Sequence, residues 1–290
     1  MKKTWFLYGL SFIGAIVLFF IVLTFIISLF FLFYEKKETL EPKIAVLEIK
    51  GIITDSKEYL LCIEEIIKRK DIKGVVVRID SPGGVVGPSQ EIYYELKKLR
   101  KIKPVVVSMG SIATSGSYYI ALGGNTIYAL PGTLTGSIGV ILEIPNIKKL
   151  LDKIGIETQV IKSGKFKDTG AIYKTLSEEE KNYLNQKILN IYNQFITAVS
   201  KERNLSIEKV KNLADGRIFT GEEALNLGLI DKIGTFWDAI EEAKEMAHLK
   251  KAKIVFFPKS KSLIEKLIED NKESLLKILP FYPLYFLPNY

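Results

Sequence analysis

From Thr4 to Tyr34 the chain carries no charged residue, a run of 31 positions reading TWFLYGLSFIGAIVLFFIVLTFIISLFFLFY. A folded core would need an equally long apolar sleeve to hide such a helix. A bilayer needs only about 20 such residues, whereas a signal-peptide core uses about 7–15. No A-x-A-like cleavage site follows the run. The reading is a retained membrane anchor over residues 1–34, a linker over 35–43 and a folded domain beyond. Lys2 and Lys3 precede the run and Lys36 and Lys37 follow it, so flanking charge does not set its orientation.

Beyond the linker, short runs rich in β-branched residues alternate with helical repeats. KIAVLEIKGII reads as a strand and SKEYLLCIEEIIKR as an amphipathic helix. GVVVRID is a strand ended by Ser81-Pro82-Gly83-Gly84, and a helix runs from about Ser89 to Lys101. PVVVSM, TIYAL, SIGVIL and ETQVI read as further strands, and Ser115 opens a helix. Short, fully apolar strands alternating with helices predict an α/β fold with a largely parallel, covered sheet. Ligands of such sheets collect at the carboxyl ends of strands, where Gly83-Gly84 and Ser115 both fall.

The second half is more helical. A long helix opens at Ser177, with Glu180 in capping-box spacing. SIEKVKNLAD, GEEALNLGL and TFWDAIEEAKEMAHL follow as shorter helices, and AKIVFFP is a late strand. Residues 44–250 read as one domain, and 251–290 as a C-terminal strand, helix and apolar tail. Pro280, Pro283 and Pro288 bar a regular helix from the tail LLKILPFYPLYFLPNY. Such a tail either packs onto the domain or the membrane interface, or lies like a substrate in a groove.

Composition narrows the chemistry. A single cysteine excludes an internal disulfide and a cysteine-based zinc cluster, and Cys62 falls on an apolar helical face as a core thiol. With one histidine, no metal or other cofactor is expected. The net charge is +8, but the lysines are scattered beside glutamates rather than massed in a basic block. That describes a solvated surface, with no nucleic-acid partner.

The segment IATSGSYYIA, residues 112–121, delivers Ser115 on a tight turn between a strand and a helix. If Ser115 is a nucleophile, it needs a base. The only histidine, His248, sits near the end of an amphipathic helix, remote in sequence. A Ser-His-Asp triad is therefore not expected, which leaves a carboxylate or a lysine whose pKa is lowered by its surroundings. VIKSGKFKDTG, residues 160–170, puts Lys162, Lys165 and Lys167 on one loop, and spacing does not choose among them. Ser117 is the rival nucleophile. A developing oxyanion needs backbone N–H donors: Gly116 follows the nucleophile, and Gly84, or else Gly83, ends the neighbouring strand.

Five ordered segments then speak together: DSPGG at 80–84, ATSGSYY at 113–119, LTGSIGV at 134–140, KSGKFKD at 162–168 and GRIFTGEEALNLGLID at 216–231. From about Ala45 to Asp231 the chain resembles the signal peptide peptidase A (protease IV) family of membrane-anchored serine proteases. The resemblance implies a crotonase/Clp protease-like fold carried on an N-terminal transmembrane helix. It implies Ser115 as nucleophile, Lys167 as general base and Ser137 as the residue that orients the lysine. An ordinary lysine, with a pKa of about 10.4, is protonated at neutral pH, so such a base must be desolvated.

The resemblance also implies a function: degradation of residual signal peptides after their release from preproteins. The implied partners are peptide substrates, membrane lipid through the N-terminal helix, and further copies of the chain in a ring, in which Ser115 and Lys167 can come from adjacent subunits. The implied location is the cell membrane, single-pass, with the catalytic domain extracytoplasmic. The alternatives are a related membrane-anchored protease acting on other membrane protein segments, a crotonase-type acyl-CoA enzyme, or a non-catalytic scaffold. Within GRIFTGEEALNLGLID the reading is structural, with Arg217 a packing or interface charge.

Overall fold

The β-branched runs assemble edge to edge into one sheet. The computed structural model describes residues 16, 18–28 and 41–258, together with the backbone of Tyr285 and Phe286. The chain divides into two units, Met1–Leu40 and Glu41–Tyr290. In the first, residues 18–28 are helical, and Leu18, Phe19, Phe20 and Phe25 are exposed. Among the described residues no helix is long and apolar enough to cross a membrane. Most of the run 4–34, on which the anchor expectation rests, lies outside them.

The second unit begins with β1 (Lys43–Lys50), α1 (Lys57–Lys68), β2 (Ile72–Ser81), β3 (Gly84–Val85) and α2 (Val86–Leu99). β4 (Val105–Thr114), α3 (Gly116–Ala121), β5 (Thr126–Ala129), β6 (Leu134–Gly136) and α4 (Lys148–Ile154) follow. Next come α5 (Glu178–Arg203), α6 (Ile207–Leu213), β7 (Ile218–Thr220), α7 (Gly221–Leu227) and β8 (Lys232–Ile233). α8 (Phe236–Met246), β9 (Lys253–Phe257) and the two-residue β10 (Tyr285–Phe286) complete the order. The main sheet runs β7-β6-β4-β2-β1-β9, with β5 on β4 and β8 on β5. Its pairings are parallel apart from β6 with β7.

Alternate side chains of the central strands leave on opposite faces. Leu47, Val77 and Val107 enter the larger core with Ile66 of α1, Leu96 of α2, Tyr118 of α3 and Phe195 of α5. Val46, Val76 and Val106 meet Ala239, Ile240 and Ala243 of α8 on the other side. With both faces covered, the strands have no polar side to show, which explains their unbroken apolar sequence. Each fully buried Val, Ile or Leu contributes about 1.5–3 kcal/mol.

One irregularity shapes the functional end. Ile79 pairs with Met109 but Ser81 with Ala113, so β4 gains two residues on β2. Gly110 sits in this bulge, where a Cβ would press on the Asp80 carboxylate, and the Ile112 N–H donates to Asp80 Oδ1 at 3.2 Å. A bulge bends its strand. The first half of β4 accordingly pairs with β5, and its last three residues pair with β6.

Three expectations are corrected. α2 begins at Val86 rather than near Ser89, because the chain turns into it directly from the extended Val85. SIGVIL is not a strand: β6 forms from the preceding Leu134–Gly136 and stops where Ser137 takes a φ of 50°. ETQVI is not a strand either. It has β-branched residues but among the described residues it pairs with no strand, and β propensity expresses packing rather than a backbone preference. The long helix is as read, with both capping-box bonds between Ser177 and Glu180 present.

Candidate active site

β4 ends at Thr114 and α3 begins at Gly116, which leaves Ser115 on the junction with φ 56° and ψ −120°. A non-glycine residue in such a conformation costs about 1–3 kcal/mol and persists only when its surroundings enforce it. Here the Ser115 N–H donates to the Gly136 carbonyl at 2.8 Å, and the Ser115 carbonyl accepts the Tyr119 N–H at 2.9 Å. Ser137 is built in the same way: its φ is 50° and its N–H donates to the Arg217 carbonyl at 2.8 Å. Between them, Gly136 has a φ of +79°, and a Cβ there would strike the Phe219 ring. Ser115 and Ser137 are both buried.

The glycine turn lies alongside. The Gly83 carbonyl accepts the Ile53 N–H at 2.9 Å, and the Val85 N–H donates to the Ile53 carbonyl at 2.7 Å. Strand alternation therefore turns the N–H and C=O of Gly84 toward the opposite edge. A Cβ at position 84 would overlap the Ile53 backbone, so only glycine allows this approach. The alternative donor, Gly83, has its N–H committed to Ser81 Oγ at 3.1 Å. Gly116, the first residue of α3, carries one of the N–H groups that a helix leaves without an internal acceptor. Along the edge at Gly84 runs β10, with Phe286 opposite Gly84 and Tyr285 opposite Val85 in antiparallel register.

Ser117 is wholly buried, and its hydroxyl donates to Ser81 Oγ at 2.7 Å. Its hydroxyl is thus committed inside the fold, which counts against the rival nucleophile. Thr114 Oγ1 donates to the Pro82 carbonyl at 3.0 Å. Reading the sequence passes over Ser81 and Thr114, since only the fold brings β2 and β4 to the same height.

The lysine loop separates its three candidates. Lys162 Nζ pairs with Asp168 at 2.6 Å, and Lys165 Nζ with Glu179 at 2.5 Å. Lys174 bridges Asp168 at 3.0 Å and Glu180 at 2.6 Å. Hydrogen bonds from Lys162 and Lys174 hold the Asp168 carboxyl down at about 2. Lys174, with the Ser177 N–H, holds Glu180 at about 2. Among the described residues Lys167 is the one of the three loop lysines without a carboxylate partner. It is exposed, and no hydrogen bond joins it to Ser115 or Ser137. Apolar side chains are also exposed on α4 and just after it: Leu150 and Ile154 on α4, which buries no residue, then Ile156, Val160 and Ile161.

A cavity of about 660 Å³ adjoins Ser137, lined by Ile112, Leu134, Val140, Ile188 and Tyr192 among others. Arg217 lies at this cavity beside Asp215; its Nε donates to Asp215 Oδ1 at 2.7 Å, and the pairing holds the Asp215 carboxyl at about 2. His248 is exposed beyond the end of α8, the helix that covers the sheet face opposite α3. Among the described residues no cluster of His, Cys, Asp and Glu is placed to hold a metal ion.

The sequence profile of peptidase family S49 matches residues 97–250. A Synechocystis sp. protein with a provisional protease name is 45% identical over 219 residues, covering 75% of this chain and 79% of its own. An Enterococcus faecium protein provisionally named signal peptide peptidase SppA is 36% identical over 238 residues, covering 76% of this chain and 69% of its own. A solved variant of the 1510-N membrane-bound stomatin-specific protease has the same mixed α/β fold, with a TM-score of 0.50 and 17% identity. That alignment covers 76% of this chain and 99% of the other. On the extent of these matches, the chain belongs to peptidase family S49 and is a serine peptidase.

Proposed function

We propose that this peptidase is a membrane-bound endopeptidase that degrades residual signal peptides, with Ser115 as nucleophile and Lys167 as general base. The observation that carries the reading is the strained elbow of Ser115, held beside Ser137 and the Gly84 edge. Neutral Lys167 takes the Ser115 hydroxyl proton as Oγ attacks the scissile carbonyl carbon. The N–H groups of Gly84 and Gly116 receive the oxyanion. As the tetrahedral species collapses, the C–N bond breaks and the lysine ammonium returns its proton to the leaving amine. Water then releases the acyl group by the same route, and the Ser137 hydroxyl orients the amine throughout.

An extended peptide can add to the edge at Gly84 in place of β10, which pairs there in antiparallel register. The apolar cavity beside Ser137 suits the apolar side chains of a signal-peptide core. The name of the Enterococcus faecium relative favours the same substrate class. The uncharged run from Thr4 to Tyr34 supports a single-pass anchor, with the domain on the extracytoplasmic side.

A lysine serves as a base near neutral pH only when it is shielded from water, so the exposed Lys167 needs cover. The open apolar side chains of α4 and the following loop supply a surface for a second copy. A head-to-tail contact of that kind closes into a ring, in which the lysine of one subunit serves the serine of another. The test is hydrolysis of a signal-peptide-like substrate by the full chain. Ser115→Ala and Lys167→Ala should abolish turnover and His248→Ala should retain it; loss of activity in a folded His248→Ala variant would overturn the Ser–Lys assignment.

A further inference from the structure

We infer that Thr114 and Ser117 are positioning residues that clamp the oxyanion turn to the nucleophile. The inference rests on the roles proposed above for Ser115 and Gly84. The ladder between β2 and β4 ends with Ser81 opposite Ala113. Beyond it, side chains take over. Thr114, immediately before the nucleophile, donates from Oγ1 to the Pro82 carbonyl at 3.0 Å. Ser117, two residues after the nucleophile, donates to Ser81 Oγ at 2.7 Å. The same Ser81 oxygen accepts the Gly83 N–H at 3.1 Å. Thr114, Ser117 and Ser81 are each 0% exposed, so all three hydroxyls are shielded from solvent.

The arrangement has a direction. Both donors lie on the elbow that carries Ser115, and both acceptors lie on the turn that carries Gly84. On its far side the turn is gripped by the Ile53 backbone. Occupying the Gly83 N–H also leaves Gly84 as the residue whose donor faces the edge along which β10 runs. A buried hydroxyl needs a partner in any protein, but here both partners belong to the element whose placement sets the oxyanion distance. Stabilisation requires a donor about 2.7–3.1 Å from the oxyanion. Peptide pairing along β3 tolerates a small shift of the turn, so loosening the clamp should act on kcat rather than on KM.

The experiment compares Thr114→Val, which keeps the volume and removes the hydroxyl, with Thr114→Ser, which keeps the hydroxyl, and adds Ser117→Ala and Ser115→Ala. All are measured in the full chain for kcat, KM and the rate at which a fluorophosphonate labels Ser115. Thr114→Val and Ser117→Ala should each lower kcat about ten- to a hundredfold, the scale of a small misplacement in an active site. KM should change little, labelling should slow in step, and Thr114→Ser should stay near the parent. If Ser117→Ala does not fold, the two Thr114 variants decide alone. Unchanged kcat in Thr114→Val, or a rise confined to KM, overturns the clamp if Ser115→Ala is inert. An active Ser115→Ala overturns instead the nucleophile assignment beneath it.

Discussion

Thr114 and Gly136 face each other in parallel register across β4 and β6, so the next residue on each strand is a serine with a positive φ. Ser115 and Ser137 thus leave neighbouring strands side by side, at 56° and 50°. The sheet itself sets their relation. Among the described residues no hydrogen bond joins Lys167 to either serine, and it stands exposed.

That division predicts complementation. Ser115→Ala and Lys167→Ala should each be inactive, and mixing them should restore part of the activity, because a ring with shared sites would pair an intact serine with an intact lysine at some interfaces. Initial rates on a signal-peptide-like substrate give the readout, and light scattering on a soluble fragment from about Thr39 should show a multimer. A strictly monomeric, fully active fragment would contradict a shared site.

At position 84, alanine would collide with the Ile53 backbone and displace the N–H that faces the edge. Loss of one oxyanion donor raises a barrier by about 2.7–4 kcal/mol, so Gly84→Ala should cut kcat by about 10²–10³. Circular dichroism must show the variant folded. Near-parent turnover would place the oxyanion elsewhere.

The loop around Lys167 should loosen in acid. Asp168 has its carboxyl depressed from an ordinary 3.8 to about 2 by its hydrogen bonds with Lys162 and Lys174. A depressed carboxylate contributes stability above its unfolded pKa and loses it as pH falls through the folded value. The tie is therefore fully present above about pH 4 and lost toward about pH 2. After correction for intrinsic rates, hydrogen exchange across residues 162–174 should accelerate in that window. Asp168→Asn should already exchange fast at pH 6, and equal protection in parent and variant there would refute the tie.

Tyr285–Phe286 pairs with Gly84–Val85, the edge proposed above for a substrate strand. Removing residues 281–290 should lower KM and raise turnover of a short peptide at limiting concentration, with little change in melting temperature. Unchanged or slower turnover would leave the tail a packing role alone.

Much of this was legible in the sequence, for local reasons. Val75, Val76 and Val77 announce a strand buried on both faces, and Ser177 with Glu180 announces a helix start. Ser115 and Gly84 stand out because tight turns require small residues at fixed places. SIGVIL and ETQVI mislead because each has strand composition, yet one is ended by the geometry of Ser137 and the other pairs with no strand among the described residues. The bonds of Thr114 and Ser117 were invisible because their partners sit 32 and 36 residues away. The exposure of Lys167 is a matter of what surrounds the loop, which its own residues do not record.

The φ of Ser115 sets endurance against chemistry at one position. Glycine adopts that backbone without strain, whereas alanine shares the difficulty of serine. Ser115→Gly should therefore melt above both the parent and Ser115→Ala, while cleaving nothing. Selection for persistence alone would drift toward glycine at 115, and a serine retained there marks a chain whose stability is held below its own ceiling for the sake of a hydroxyl.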